Sequence, residues 1–279
     1  MKIESENYTK LIADGFCVFE QVLDEAMLTR VRAASNRLLG AQSVEHFAAQ
    51  KSTGSMISVY EDPFFAELVA YPPALNALAA LGFSKPRWSS GFVICKPPHS
   101  PALFWHQDWA CWDDPSSYMD TPLQLFLMYY LVDTDIHNGC LRAIKGSHRR
   151  RHPMHDAVPV AHTDELRSIT DPDHPAYQPV ADEVIVPVKA GDVVIGDARL
   201  LHGSYGNQSD RSRTVITLWY HPNFESAPEC IQADVSQWPQ GQIESWPAST
   251  QEHIQALIPT YSGTVEPMVW NRTPGNALK

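Results

Sequence analysis

No CxxC pair occurs in the 279 residues, and the five cysteines (Cys17, Cys95, Cys111, Cys140, Cys230) are odd in number and scattered. That pattern supports neither a disulfide framework nor a zinc ribbon, and it fits a reducing cytoplasm. Long apolar runs are also missing. The longest, 123–132, holds ten residues and includes Gln124, whereas a bilayer span needs about 20. The polar start of the chain lacks the apolar stretch of a signal peptide. A soluble, cytoplasmic protein without a membrane partner is expected. Basic residues are scarce as well: 21 Lys and Arg face 32 acids, a net charge of −11. No basic face remains to follow a phosphate backbone, so nucleic acid is not an expected partner. With 44% hydrophobic and 19% charged residues, the chain is too apolar for disorder. Histidine is what it has in surplus, twelve in all.

The first third reads as helical. Asp24 is an N-cap candidate ahead of Leu28, Val31, Leu38 and Leu39, with Gly40 placed as the C′ residue. A second helix follows Pro73 through Leu75, Leu78 and Leu81 and stops at Gly82. From Arg87 onward, short apolar segments alternate with turn signals. They are 92–95, halted by Pro97-Pro98; 123–132; 140–144, after the turn Asn138-Gly139; 184–188; 193–195; and 214–220. Many short strands of this kind predict a sandwich or jelly roll. No repeat or linker divides the chain, so one domain is expected over 1–279. Its parts are a helical region to about 86, a jelly-roll core over about 87–222 and an irregular tail over 223–279. The stretch 148–182, rich in His, Pro, Asp and Arg, reads as a long irregular loop.

Trp105-His106-Gln107-Asp108-Trp109 is the first segment with chemistry. In a strand, alternate residues share a face, so His106 and Asp108 would present an imidazole beside a carboxylate while Trp105 and Trp109 turn to the core. A second His-x-Asp, His162-Thr163-Asp164, has no strand pattern around it and reads as surface. A further histidine, His202, follows 96 residues after His106, beyond the turn Gly191-Asp192 and a strand. Two histidines and one carboxylate leave half an octahedron open, the arrangement of non-haem Fe(II) oxygenases. Arg213, opening a strand, offers the guanidinium fork that grips a carboxylate, and an acidic protein needs such a local positive anchor for a dianion. The same residues also allow a zinc hydrolase with water as fourth ligand, or a non-catalytic binding jelly roll with an incidental metal.

In order along the chain, His106-Gln107-Asp108, Asn138-Gly139-Cys140-Leu141 with Gly146-Ser147-His148, Gly191-Asp192, His202-Gly203-Ser204, Asn207 and Arg213 resemble the phytanoyl-CoA dioxygenase family. Asp14-Gly15-Phe16-Cys17-Val18 and Lys96-Pro97-Pro98 fit too, so the resemblance runs from about residue 10 to 222. It implies a double-stranded β-helix with N-terminal helices packed against it. It implies Fe(II), 2-oxoglutarate and O2 as cofactor and cosubstrates, with His106, Asp108 and His202 as iron ligands. Arg213 would bind the distal carboxylate of 2-oxoglutarate, Ser204 would help hold it, and Trp112 would lie near the cosubstrate. The implied reaction hydroxylates or otherwise oxidises a small organic substrate and releases succinate and CO2. Where some members carry a lysine and a tryptophan as extra cosubstrate contacts, this chain has Ser58 and Met128. Those roles are not transferred. Related halogenases have a small residue in place of the carboxylate, so Asp108 points to oxygenation.

Three further readings complete the set. Arg149-Arg150-Arg151 with Lys145 is the one basic cluster and reads as a solvated loop. Asp197 is a candidate to orient a ligand imidazole. The oligomeric state has no signature in the sequence.

Overall fold

A computed structural model describes residues 5–158, 163–168, 171 and 173–279. Its ten strands are β1 (Phe16–Phe19), β2 (Ile57–Ser58), β3 (Arg87–Lys96), β4 (Leu103–His106), β5 (Leu125–Tyr130), β6 (Leu141–Ile144), β7 (Glu183–Val186), β8 (Val193–Asp197), β9 (His202–Ser204) and β10 (Arg213–His221). They form two antiparallel sheets, one ordered β1-β8-β5-β10-β3-β2 and the other β4-β9-β6-β7. The arrangement is the jelly roll expected from the strand pattern.

The central strand β5 explains the layering. Its six residues are all buried, because both of its faces are covered. Leu125, Leu127 and Tyr129 pack with the helices against the outer face of the large sheet. Phe126, Met128 and Tyr130 point between the sheets, with Leu141, Val186 and Val215. A strand covered on both sides loses the usual polar alternation and reads as one apolar run. Each fully buried Leu or Phe contributes roughly 1.5–3 kcal/mol relative to exposure.

The N-terminal helices supply the outer cover. The Asp24 side chain accepts the Met27 N–H at 2.7 Å, and Met27, Leu28, Val31, Ala34 and Leu38 of helix Glu25–Gly40 are buried. Gly40 is the last helical residue rather than the C′ residue, and Ala41 ends the helix in the right-handed region. The second helix runs Pro72–Ala80, and Gly82 stops it at φ +87° while Phe83 N–H returns to Leu78 O.

Three expectations change. The helical reading of the first third misses β1, which pairs with β8 through Phe16↔Gly196, and β2, which pairs with β3. Four-residue and two-residue strands carry too little period to stand out between helices. The turn at Asn138-Gly139 is present, with Gly139 at φ +90°, but it does not close a hairpin. It carries the chain from one sheet to the other, where β6 pairs with β7 and β9. The tail is partly helical, at Glu229–Val235 and Ala248–Ile254. In the stretch 148–182, short helices at Met154–Ala157 and Asp164–Ser168 accompany a turn at Pro175–Tyr177. Among the described residues no helix is long and apolar enough to cross a membrane.

Candidate metal and cosubstrate site

The site forms where β4 meets β9 on the small sheet. His106 and His202 are direct cross-strand partners, and their rings lie side by side with centroids 4.1 Å apart. Each Nδ1 donates to the backbone carbonyl two residues earlier, His106 to Phe104 and His202 to Leu200, both at 3.0 Å. A donor at Nδ1 fixes the tautomer and leaves Nε2 as a lone-pair ligand. The Asp108 carboxylate completes the group, with Oδ1 3.7 Å from His106 Nε2 and Oδ2 4.0 Å from His202 Nε2. One ligand atom from each residue lies within 4.8 Å of the others, which is the spacing a single metal ion requires. Imidazole nitrogen and carboxylate oxygen in this number suit Fe(II).

Asp108 is not on the strand, because β4 ends at His106. The N–H groups of Asp108 and Trp109 both turn to one acceptor, the Ala198 carbonyl, at 2.8 and 2.9 Å. Sharing one carbonyl breaks the ladder and bends the chain, yet it still sets the carboxylate beside His106. Trp219 Nε1 then donates to Asp108 Oδ2 at 2.9 Å, and Arg272 Nη1 donates to its carbonyl at 2.7 Å. Phe126 backs His202 at 4.9 Å between ring centroids. That ring needs Gly196 beneath it, since a Cβ there would sit 2.1 Å from Phe126 Cζ.

Arg213, the first residue of β10, is buried at 4% exposure. Among the described residues no carboxylate pairs with it. Nη2 donates to Ser204 Oγ at 3.3 Å, and Nε is buried without an acceptor. Burial holds its pKa below the usual guanidinium value. A buried cation lacking an acid is costly, and an unfilled donor adds to that cost. A ligand carboxylate meets both needs, so the residues present fit 2-oxoglutarate. Ser204 lies two residues after His202 on β9 and so shares its strand face. Lys96, opposite Arg213 across the β3–β10 ladder, is also buried. Its amine donates to the Ser52 carbonyl at 2.7 Å and to Pro101 O. Burial, then the neighbouring guanidinium of Arg213, pushes its pKa well below the usual range. Asn207 is a staple: its amide nitrogen donates to the carbonyls of Lys96, Pro97 and Arg211.

The remaining candidates fall elsewhere. Trp112 is buried in a separate apolar cluster with Phe224 and Ile231, its ring centroid 5.4 Å from that of Tyr118. Trp105 is buried as its strand parity predicts, whereas Trp109, past the end of the strand, is buried by the bend at Ala198 and lines the same cavity as Asp108. Asp197 orients no ligand imidazole. It forms a buried pair with Arg199 at 2.6 Å, and His202 Nδ1 takes the Leu200 carbonyl instead. In the basic cluster, Arg149 pairs with Asp120, Arg151 with Asp156 and Lys145 with Asp14. His162 of the second His-x-Asp lies outside the described residues, and Asp164 is exposed.

A cavity of about 260 Å³ adjoins Asp108, lined among others by Phe92, Trp219 and His221 from the large sheet and by Trp238, Trp270 and Arg272 from the tail. A larger, more open hollow at Phe64, Tyr71 and His253 shares no residue with the triad. Sequence reasoning missed Trp219 and Arg272. For Trp219 a signal existed: counting in twos from Arg213 along β10 reaches Trp219 and His221 on one face. Arg272 had none, because only tertiary packing returns the tail to Asp108.

Residues 12–215 match the family model described as phytanoyl-CoA dioxygenase. Ectoine dioxygenase of Nocardia farcinica (strain IFM 10152) is 24% identical over 236 residues, 79% of this chain and 78% of that protein. Phytanoyl-CoA dioxygenase 1 of Oryza sativa subsp. japonica is 29% identical over 161 residues, 56% and 52% of the two chains. Among solved structures, HygX from Streptomyces hygroscopicus with nickel and 2-oxoglutarate bound shares the fold at a TM-score of 0.57 and 19% identity, covering 78% of this chain and 87% of that one. EctD from S. alaskensis with bound Fe does so at 0.55 and 20%, covering 78% and 76%. With nearly three quarters of its length matched, the chain belongs to the phytanoyl-CoA dioxygenase family of Fe(II)/2-oxoglutarate-dependent oxygenases.

Proposed function

We propose that His106, Asp108 and His202 hold the Fe(II) of this oxygenase, and that Arg213 with Ser204 seats the distal carboxylate of 2-oxoglutarate. A small organic substrate in the adjoining cavity is then hydroxylated or otherwise oxidised. The observation that carries the reading is the buried Arg213 guanidinium, which among the described residues has one neutral acceptor at 3.3 Å and no acid. Neither a zinc hydrolase nor an inert jelly roll needs such a group beside the triad. Bound Fe(II) with 2-oxoglutarate supplies the oxidising chemistry, using O2 and releasing succinate and CO2.

The chain's own residues bind, aim and shield. The Phe104 and Leu200 carbonyls hold the Nδ1 protons and turn each Nε2 toward the metal position. The Trp219 indole fixes one carboxylate oxygen of Asp108. Phe126 shields His202 from one side. The whole chain acts as one unit in this reading, since the tail supplies Arg272 to Asp108. With Fe(II) and 2-oxoglutarate the protein forms succinate, and His106→Ala or Asp108→Ala abolishes it. Full turnover by both variants sinks the assignment.

A further inference from the structure

The tail brings to the cavity beside Asp108 a charge pattern that metal and cosubstrate leave unused. Arg167 and Arg272 both line this cavity. Arg272 donates to the Asp108 carbonyl and lies 5.3 Å from the Trp270 ring centroid. Among the described residues it has no ion pair. Arg167 Nε is buried without an acceptor, and among the described residues its one paired acid, Asp164, is 3.9 Å away and fully exposed. Among the described residues two acids face the same cavity. Asp108 is committed to the triad, and Asp234 accepts the indole N–H groups of Trp238 and Trp270 at 3.2 Å each. Those two indoles stack at 5.3 Å and 17° while remaining 39% and 47% exposed.

Two guanidiniums lining one small, partly apolar cavity offer charge-assisted donors to an oxyanion placed between them. Exposed stacked indoles present a flat apolar face of the kind that binds planar or apolar molecules. The volume lies near the lower end of small-ligand pockets. We propose that the substrate is a small organic acid, its carboxylate or phosphate held by Arg167 and Arg272 and its flat apolar body laid against Trp219 and the Trp238–Trp270 pair. The inference rests on the oxygenase reading of the adjoining triad.

The test uses the full chain, anaerobic, loaded with Fe(II) and 2-oxoglutarate, and follows the metal-to-cosubstrate charge-transfer absorption. The probes are 3-phenylpropanoate, indole-3-acetate and phenyl phosphate, the first two set against their neutral amides and the third against phenol. At least one acid is expected to shift the band saturably and about 10-fold more tightly than its neutral counterpart, as a charge-assisted contact provides. The phosphate arm separates the two sources of oxyanion. Arg167→Met and Arg272→Met each weaken that probe about 10-fold, and in Arg167→Met, which touches no metal ligand, 2-oxoglutarate affinity stays within about twofold. Arg272→Lys, which keeps the charge if Arg272→Met fails to fold, retains the preference for acid. Equal binding of acids and neutral counterparts, binding by no acid, or loss of 2-oxoglutarate affinity in Arg167→Met overturns the inference. A band that never forms with wild-type protein overturns the oxygenase reading and this inference with it.

Discussion

Three buried arginines of the jelly roll, Arg199, Arg142 and Arg213, are handled in two opposite ways. Arg199 grips both oxygens of Asp197, at 2.9 and 2.6 Å, and spends Nη1 on the carbonyls of Ser117 and Met119. Arg142 likewise has Glu183 at 3.5 Å, backbone carbonyls and the Trp105 ring at 4.4 Å. Arg213 is as deeply buried and has Ser204 alone. The same fold therefore pairs Arg199 and Arg142 with acids where they serve packing, and leaves Arg213 facing Ser204, a hydroxyl on the strand face that carries His202. A structural arginine brings its own anion. An arginine in the proposed cosubstrate seat would take its anion from the ligand.

Substitution of Arg199 and Arg213 should separate these roles, with the largest effect on stability. Arg199→Met leaves Asp197 buried and uncompensated and is expected to cost about 3–5 kcal/mol in urea unfolding. Arg213→Met removes a charge whose desolvation nothing in the free protein offsets, so stability is held or raised. Its cost appears in binding: 2-oxoglutarate affinity falls about 10- to 100-fold, the worth of a charge-assisted pair. An Arg213→Met protein as unstable as Arg199→Met, with 2-oxoglutarate affinity intact, breaks the comparison.

Bases that can lose their proton show a third solution. Burial pushes His155 and His221 down to about 4 from an ordinary 6.5, so both are held neutral in the folded chain. The unfolded chain takes up protons first, near 6.5, and the folded chain only near 4. Stability from these groups is therefore complete above about pH 6.5 and is lost as pH falls toward 4, up to a few kcal/mol in total. The Asp197 carboxyl is held below its ordinary 3.8 by Arg199 against the opposing effect of burial, so its contribution fails only below this window. Urea midpoints measured from pH 7 down to about pH 4.5 should fall, and His221→Asn should flatten the slope. A flat profile in the wild-type protein would show that these imidazoles are not held neutral.

The legible parts of the molecule are those governed by local period. Asp24 capped its helix because its side chain reaches Met27 N–H within one turn. Strands β5 and β10 stood out because their residues alternate between two covered faces. His106, Asp108, His202 and Arg213 carried residue types whose chemistry is narrow. Asp108 came to the right place for a different reason than strand parity, since Ala198 takes two N–H groups there. The illegible parts depend on contacts between distant segments. Arg272 reaches Asp108 from a tail without period, and Asp197 found Arg199 two residues away rather than His202.

The finest test concerns Ser204. Its hydroxyl accepts from Arg213 at 3.3 Å, a long contact for a buried donor, so the guanidinium is positioned rather than satisfied. Removing the hydroxyl takes away one neutral hydrogen bond and none of the charge, worth about 1 kcal/mol. Ser204→Ala should therefore raise the KM for 2-oxoglutarate about fivefold with kcat nearly unchanged. Ser204→Thr, which keeps an acceptor, should recover most of the loss. An Ala variant as impaired as Arg213→Met would mean that Ser204, and not the unpaired charge, dominates the grip on the cosubstrate. The contrast with Arg199 would then lose its force, because an arginine that depends wholly on its one neutral neighbour is held by geometry rather than by the missing anion.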